Sequence, residues 1–212
     1  MKRFGVVVAL IFLTCLSCKK NQKTHVTEST SKNGIEKNHS ANLASQKSAK
    51  TLFTNHTEFI SNGFDFPVGK PDGHQYYNAQ KFQENDHLGD DWNGIHGGNS
   101  DLGDPIYAIA NGYISEVKDY GGGWGNVIRV VHQHKDQLYE SLYAHCDSVV
   151  VLEDTYIKKG EQLGTIGNCN GRYLAHLHLE IRDILNLDIG SGYGSDITGY
   201  LDPTLFITKN RK

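Results

Sequence analysis

The chain has 212 residues, of which 38% are hydrophobic and 21% charged, with a formal net charge of −3 at pH 7. That is room for one globular domain plus extras; the balance excludes a chain disordered throughout and a multi-span membrane protein, and the mild acidity argues against a nucleic-acid partner. Two counts stand out, 23 glycines and 11 histidines: glycine exceeds its usual ~7%, and histidine is the commonest metal ligand and acid–base group near neutral pH.

Met1, Lys2 and Arg3 form a basic head, and residues 4–16 an apolar stretch. The stretch is shorter than the about 20 residues a membrane-spanning helix needs, which suits a secretory signal. It runs into Leu16-Ser17-Cys18, which resembles a bacterial lipoprotein signal whose cysteine is lipidated and becomes the mature N-terminus. Cys15 stands where that pattern usually has leucine. The expectation is a signal over 1–17, a lipid anchor at Cys18, and export to the cell envelope as a periplasmic or outer-membrane lipoprotein. Residues 18–57 are rich in Asn, Ser, Thr, Lys and Gln; so few apolar groups cannot offset the entropy of ordering, which predicts a flexible tether. His25, His39 and His56 fall in it and are expected to be solvated.

A domain over 58–208 follows, in which short apolar runs are punctuated by glycine. Residues 106–110 end at the turn dipeptide Asn111-Gly112, and 113–117 form the next run. The glycine-rich turn 121–125 opens into 127–131, residues 137–145 alternate, and Lys158-Lys159-Gly160 turns into 162–167. The last clear strand is 174–182. No apolar 3.6-residue period lasts beyond about ten residues, so helix should be minor. Strand signals spaced by about ten residues predict a mainly β fold, an antiparallel sheet or sandwich with long loops. The run 121–125 lacks the lysine and the strand–loop–helix setting of a phosphate loop.

The most informative segment is Ala175-His176-Leu177-His178-Leu179-Glu180-Ile181. Strand side chains alternate faces, so His176, His178 and Glu180 share one face while Leu177, Leu179 and Ile181 point into the core. Two imidazoles so placed sit about 6–7 Å apart and can address one small site. A second piece is His87-Leu88-Gly89-Asp90-Asp91, where an imidazole and a carboxylate four apart, in a loop curled at glycine, can reach one ion. A third is Tyr143-Ala144-His145 at a strand end. Singly, each also reads as ordinary surface or core histidine.

In order, His87-x-x-x-Asp91, the segments at Gly103–Ala108 and Gly125-Asn126, Leu142-Tyr143-Ala144-His145, the loop 164–171 and His176-x-His178-x-Glu180 resemble the lysostaphin/LytM-type zinc metallopeptidases that cut peptidoglycan. The resemblance covers residues 64–203. It implies that His87, Asp91 and His178 hold one Zn²⁺ ion, with open positions for water, and that His145 and His176 are the catalytic pair. Two nitrogen ligands favour zinc over magnesium. Asp91 is the expected ligand and Asp90 its exposed neighbour; Glu180 is expected to support a ligand histidine from behind. Tyr76 and Tyr77 are read as packing aromatics, Trp92 and Trp124 as core or groove wall, and His74, His96, His132 and His134 as exposed or structural. Cys146 stands where the family usually has leucine and Cys169 precedes the last strand. Both should lie near the site, as a disulfide or as two buried thiols.

The function so implied is zinc-dependent endopeptidase action on peptide cross-links of bacterial peptidoglycan. The lipoprotein signal favours a cross-link containing a D-amino acid over a glycine bridge. The expected partners are peptidoglycan stem peptides and, through Cys18, a membrane, with the protein a monomer. The alternative is a non-catalytic wall-binding module or an activator of another wall hydrolase, members of which typically lack a ligand. Here none is missing.

Overall fold

The computed structural model describes residues 49–212; the expected signal 1–17, Cys18 and the first part of the expected tether lie outside the described residues. In chain order the elements are β1 (Tyr76–Gln80), β2 (Asp90–Gly94), β3 (Pro105–Tyr107), β4 (Gly112–Asp119), β5 (Asn126–His134), β6 (Gln137–Val149), β7 (Thr155–Ile157), β8 (Gln162–Ile166), β9 (Leu177–Arg182), β10 (Tyr200–Leu201) and α1 (Pro203–Asn210). The strands form one sheet in the order β1-β2-β9-β6-β5-β4-β7, with β8 on β6, β3 on β8, and β10 on β9. Every pairing between named strands is antiparallel. The mainly β expectation therefore holds.

Alternation along the central strands builds the core. Ile128 and Val130 of β5, Tyr143 of β6, and Leu177, Leu179 and Ile181 of β9 are at most 1% exposed and pack with Ile106, Ile114, Leu163 and Ile166. The opposite face of β9 is buried as well. The connection 183–199 covers it, tied down by Arg129 and Arg182 donating to the Leu187 carbonyl and by Trp124 Nε1 donating to that of Gly190.

Several elements escaped the sequence reading. β2 reads as loop because Asp-Asp-Trp-Asn-Gly is poor in strand formers, yet it is flanked by ladders to β1 and β9 on its two edges. α1 carries the start signals of a helix, Pro203 in its first turn and Asp202 accepting from Leu205 N, but is too short to display a period. The packed chain also reaches into the stretch expected as tether. Phe53 is 1% exposed among Val131, Leu138 and Leu185, and the Leu52 carbonyl accepts from Tyr156 Oη. Two adjacent apolar residues suffice to pin an otherwise polar segment. No helix among the described residues is long and apolar enough to cross a membrane.

Candidate metal centre and catalytic cleft

The register of β2 on β9 sets Asp91 directly opposite His178, and that of β6 on β9 sets Ala144 opposite the same residue, so His145 follows at once. His87 arrives from the other side, at the end of the turn 84–86. Its backbone bridges to Tyr193, with Leu88 N donating to the Gly192 carbonyl at 2.9 Å. Gly89 permits this approach: a Cβ there would meet the Leu179 carbonyl at 2.5 Å and the His178 ring at 2.9 Å. Its role is therefore close packing on β9 rather than the loop curl expected.

Three ligand atoms converge. His178 Nδ1 lies 3.0 Å from His87 Nε2 and 2.9 Å from Asp91 Oδ1, and His87 Nε2 lies 3.3 Å from that same oxygen. An ion with bonds of about 2.0–2.1 Å in tetrahedral geometry separates its ligands by about 3.3–3.4 Å, so this triangle is close to one face of a zinc polyhedron. The donor set of two imidazoles and one carboxylate also suits zinc. Behind it, Glu180 Oε1 lies 3.1 Å from His178 Nε2. A proton on Nε2 donated to Glu180 leaves the Nδ1 lone pair for a metal.

The electrostatics of this centre follow from burial and pairing. Burial alone would lower the His178 pKa, but hydrogen bonds to Asp91 and Glu180 outweigh it and push the imidazole up to about 9. Burial would raise Asp91, yet its bonds to His178 and His87 hold it well below the usual carboxylate range. His145 moves the opposite way: burial, with His178 and His176 nearby, drives it down to about 3 and keeps the ring neutral.

His145 and His176 sit beside the triangle, their ring centroids 4.6 Å apart. His176 Nδ1 faces the Leu174 carbonyl at 2.8 Å, and its Nε2 lies 3.8 Å from Asp91 Oδ2. His145 Nδ1 faces the Trp124 carbonyl at 3.3 Å. The His145 backbone is left-handed, with φ of +61°, a conformation costly for a residue bearing Cβ. The β5–β6 ladder shifts register across this position, and such bulges re-aim a side chain.

All five residues line one cleft of about 540 Å³, walled by Trp124, Tyr173, Tyr193 and Gln80. Trp124 was expected as wall or core; Tyr173, Tyr193 and Gln80 were missed, and Tyr193, whose hydroxyl donates to Gln80, carried no local signal. Trp92 is core and Tyr76 donates to Asp104, whereas Tyr77, expected to pack, is exposed outside the cleft. His74 and His96 are exposed. His132 is buried between the Asn111 carbonyl and Ser141 Oγ, and His134 against the Ser61 carbonyl.

The reading of Asp90 needs correction. Asp90 is not an exposed neighbour: it is 1% exposed and accepts from Phe82 N, Thr204 N and Thr204 Oγ1. β2 is a strand, so its consecutive residues face opposite ways. Of the two cysteine alternatives, the disulfide is not formed; Cys146 is a buried free thiol and Cys169 a half-buried one, its sulfur 3.3 Å from His145 Nδ1.

Peptidase family M23 matches residues 91–190. Lipoprotein NlpD of Yersinia enterocolitica is 39% identical over 80 residues, which is 38% of this chain and 78% of that protein. Murein hydrolase activator NlpD of Escherichia coli (strain K12) is 36% identical over 80 residues, 38% of this chain and only 20% of that protein. The NMR solution structure of lysostaphin superposes with a TM-score of 0.51 at 20% identity, covering 70% of this chain and 55% of that one, a likeness of fold.

Proposed function

Since the chain belongs to peptidase family M23, we propose that it is a zinc endopeptidase that hydrolyses peptide cross-links of bacterial peptidoglycan. The reading is carried by one observation, the convergence of His87 Nε2, Asp91 Oδ1 and His178 Nδ1 within 4.8 Å of one another in a cleft that also holds His145 and His176. Zinc held by those three atoms would supply a water of lowered pKa and polarise the scissile carbonyl.

The remaining work falls to the chain's own side chains. His176 donates Nδ1–H to the Leu174 carbonyl, which leaves Nε2 as its proton-handling atom. His145 turns Nδ1 to the Trp124 carbonyl and likewise presents Nε2. One of the two takes the proton of the attacking water; the other steadies the oxyanion or returns a proton to the leaving amine. Asp91 offers Oδ1 as the third ligand atom beside His178 and His87, and its Oδ2 faces His176 Nε2 at 3.8 Å. The aromatic walls Trp124, Tyr173 and Tyr193 shield the centre and flank an extended peptide.

The test is mass spectrometry of purified peptidoglycan digested by the zinc-loaded protein. Release of cleaved cross-links, lost in His178→Ala, supports the proposal; identical products from the two would sink it. The name of the Escherichia coli relative, a murein hydrolase activator, favours a second reading, in which the cleft binds the wall or a hydrolase without cutting. Metal content separates them cheaply, because a scaffold has no need to take up one zinc per chain. A lipid anchor at Cys18, location in the cell envelope, a D-amino-acid cross-link and a monomeric state are part of the proposal, and the lipoprotein name of the Yersinia relative supports the first two.

A further inference from the structure

Behind the candidate ligand His178 the buried face of β9 continues with charge rather than hydrocarbon. Glu180 and Arg182 are both 0% exposed, and alternation stacks them in line with His178. Arg182 Nε donates to Glu180 Oε2 at 2.7 Å, and Nη2 lies 2.6 Å from that same oxygen. The other oxygen, Oε1, meets His178 Nε2 at 3.1 Å. The far side of the guanidinium is held too: Nη1 donates to the Leu187 carbonyl at 3.0 Å and lies 3.4 Å from Glu140 Oε1. Glu140 in turn accepts from Asn186 N and pairs with Arg129.

Burying such a chain is expensive, and hydrophobic residues of similar volume would cover the sheet at lower cost. Its geometry has one directional consequence. With Oε2 accepting from Arg182 Nε and drawn to the guanidinium charge beside it, the carboxylate is held in place and its second oxygen stays on His178 Nε2. We propose that Arg182 is a positioning residue for the metal centre, clamping Glu180 so that His178 donates from Nε2 and turns its Nδ1 lone pair to His87 and Asp91. Arg182 touches neither substrate nor metal and acts only through Glu180. The inference rests on the reading that His87, Asp91 and His178 hold a metal. A rival role exists, since the same arginine helps tie down the connection 183–199.

A double-mutant cycle in zinc affinity separates the two roles. Zinc binding by the purified chain is measured in competition with a chromophoric chelator, with metal-free thermal stability followed alongside. Glu180→Gln and Arg182→Met should each weaken zinc binding by about tenfold or more, the range for residues that orient metal ligands. The double variant should bind no more weakly than the worse single one. Should Arg182→Met fail to fold, Arg182→Lys keeps the charge but has no Nε–H to fix Glu180 Oε2, and its affinity should still fall severalfold. Either arginine variant binding zinc like the wild type overturns the inference, as do losses that multiply in the double variant. A wild-type chain that takes up no zinc overturns the metal-site reading along with it; a wild type that binds while the losses multiply sinks the positioning role alone.

Discussion

Asp90 and Asp91 are adjacent in sequence and point to opposite faces of β2, so replacing each by a near-isosteric group should separate stability from metal binding. Asp90 accepts three hydrogen bonds, two from backbone N–H groups and one of 2.6 Å from Thr204 Oγ1. Thr204 N is one of the first amides of α1, which have no partner within the helix. At about 1.5 kcal/mol for each bond to a charged acceptor, and with two partly buried Thr204 donors left short, Asp90→Asn should cost about 3 kcal/mol. For a domain of this size that is a fall of roughly 10 °C in Tm. Zinc affinity of the folded fraction should stay within a few fold, because Asp90 reaches none of the three converging atoms. Asp91→Asn should strike the metal site. An amide supplies no anionic oxygen, so zinc affinity should drop by at least 100-fold, in addition to the metal-free stability lost with the charge partner of His178. The assay is thermal unfolding by circular dichroism in chelator, paired with competitive zinc titration. If Asp90→Asn lost its zinc site without losing stability, the assignment of faces along β2 would be wrong.

The His178 proton must leave before zinc binds. Its folded pKa of about 9 lies above the ordinary value, so zinc affinity should climb with pH from about 6 to 9, by up to tenfold per unit; a flat profile in chelator competition would contradict this. The same raised pKa makes the His178 contribution to metal-free stability complete below about 6.5 and lost as pH rises through about 9, which urea titrations at several pH values will read. His145→Ala and His176→Ala should each retain one zinc per chain yet slow peptidoglycan cleavage by about 10²–10⁴-fold, measured by muropeptide release. Leu177, between the two histidines but on the core face and 0% exposed, should cost about 2–5 kcal/mol as Leu177→Ala and leave zinc stoichiometry unchanged in the folded protein.

What the sequence made legible follows from how local each signal is. The alternation of β9 is written in seven consecutive residues, and both its faces emerge as read, with leucines and isoleucine in the core, His178 in the cleft and Glu180 behind it. The spacing of His87 and Asp91 was visible, but the strand carrying Asp91 was not, because β2 gains its conformation from ladders on both edges rather than from its own composition. The misplacement of Asp90 follows from that one omission. Tyr193 and Gln80 could not be found at all: they meet at the cleft through a hydrogen bond between residues 113 apart. Phe53 was passed over for the opposite reason, since two apolar residues in a polar stretch form no pattern, and only Val131, Leu138 and Leu185 across the fold give them a place.

Cross-strand pairing of Asp91 with His178 joins positions 87 apart, and His87 joins His178 across 91. Such contacts close late, after the intervening β4–β5–β6 meander has formed, because distant pairings carry the largest loop-closure entropy. The centre is therefore a product of completed folding and has no counterpart in the extended chain. A chain kept unfolded for passage through a membrane would carry no metal with it, and would be loaded from whatever zinc is available where it folds. Metal supply in that compartment, rather than in the one where the chain is made, would then set how much of the protein is competent.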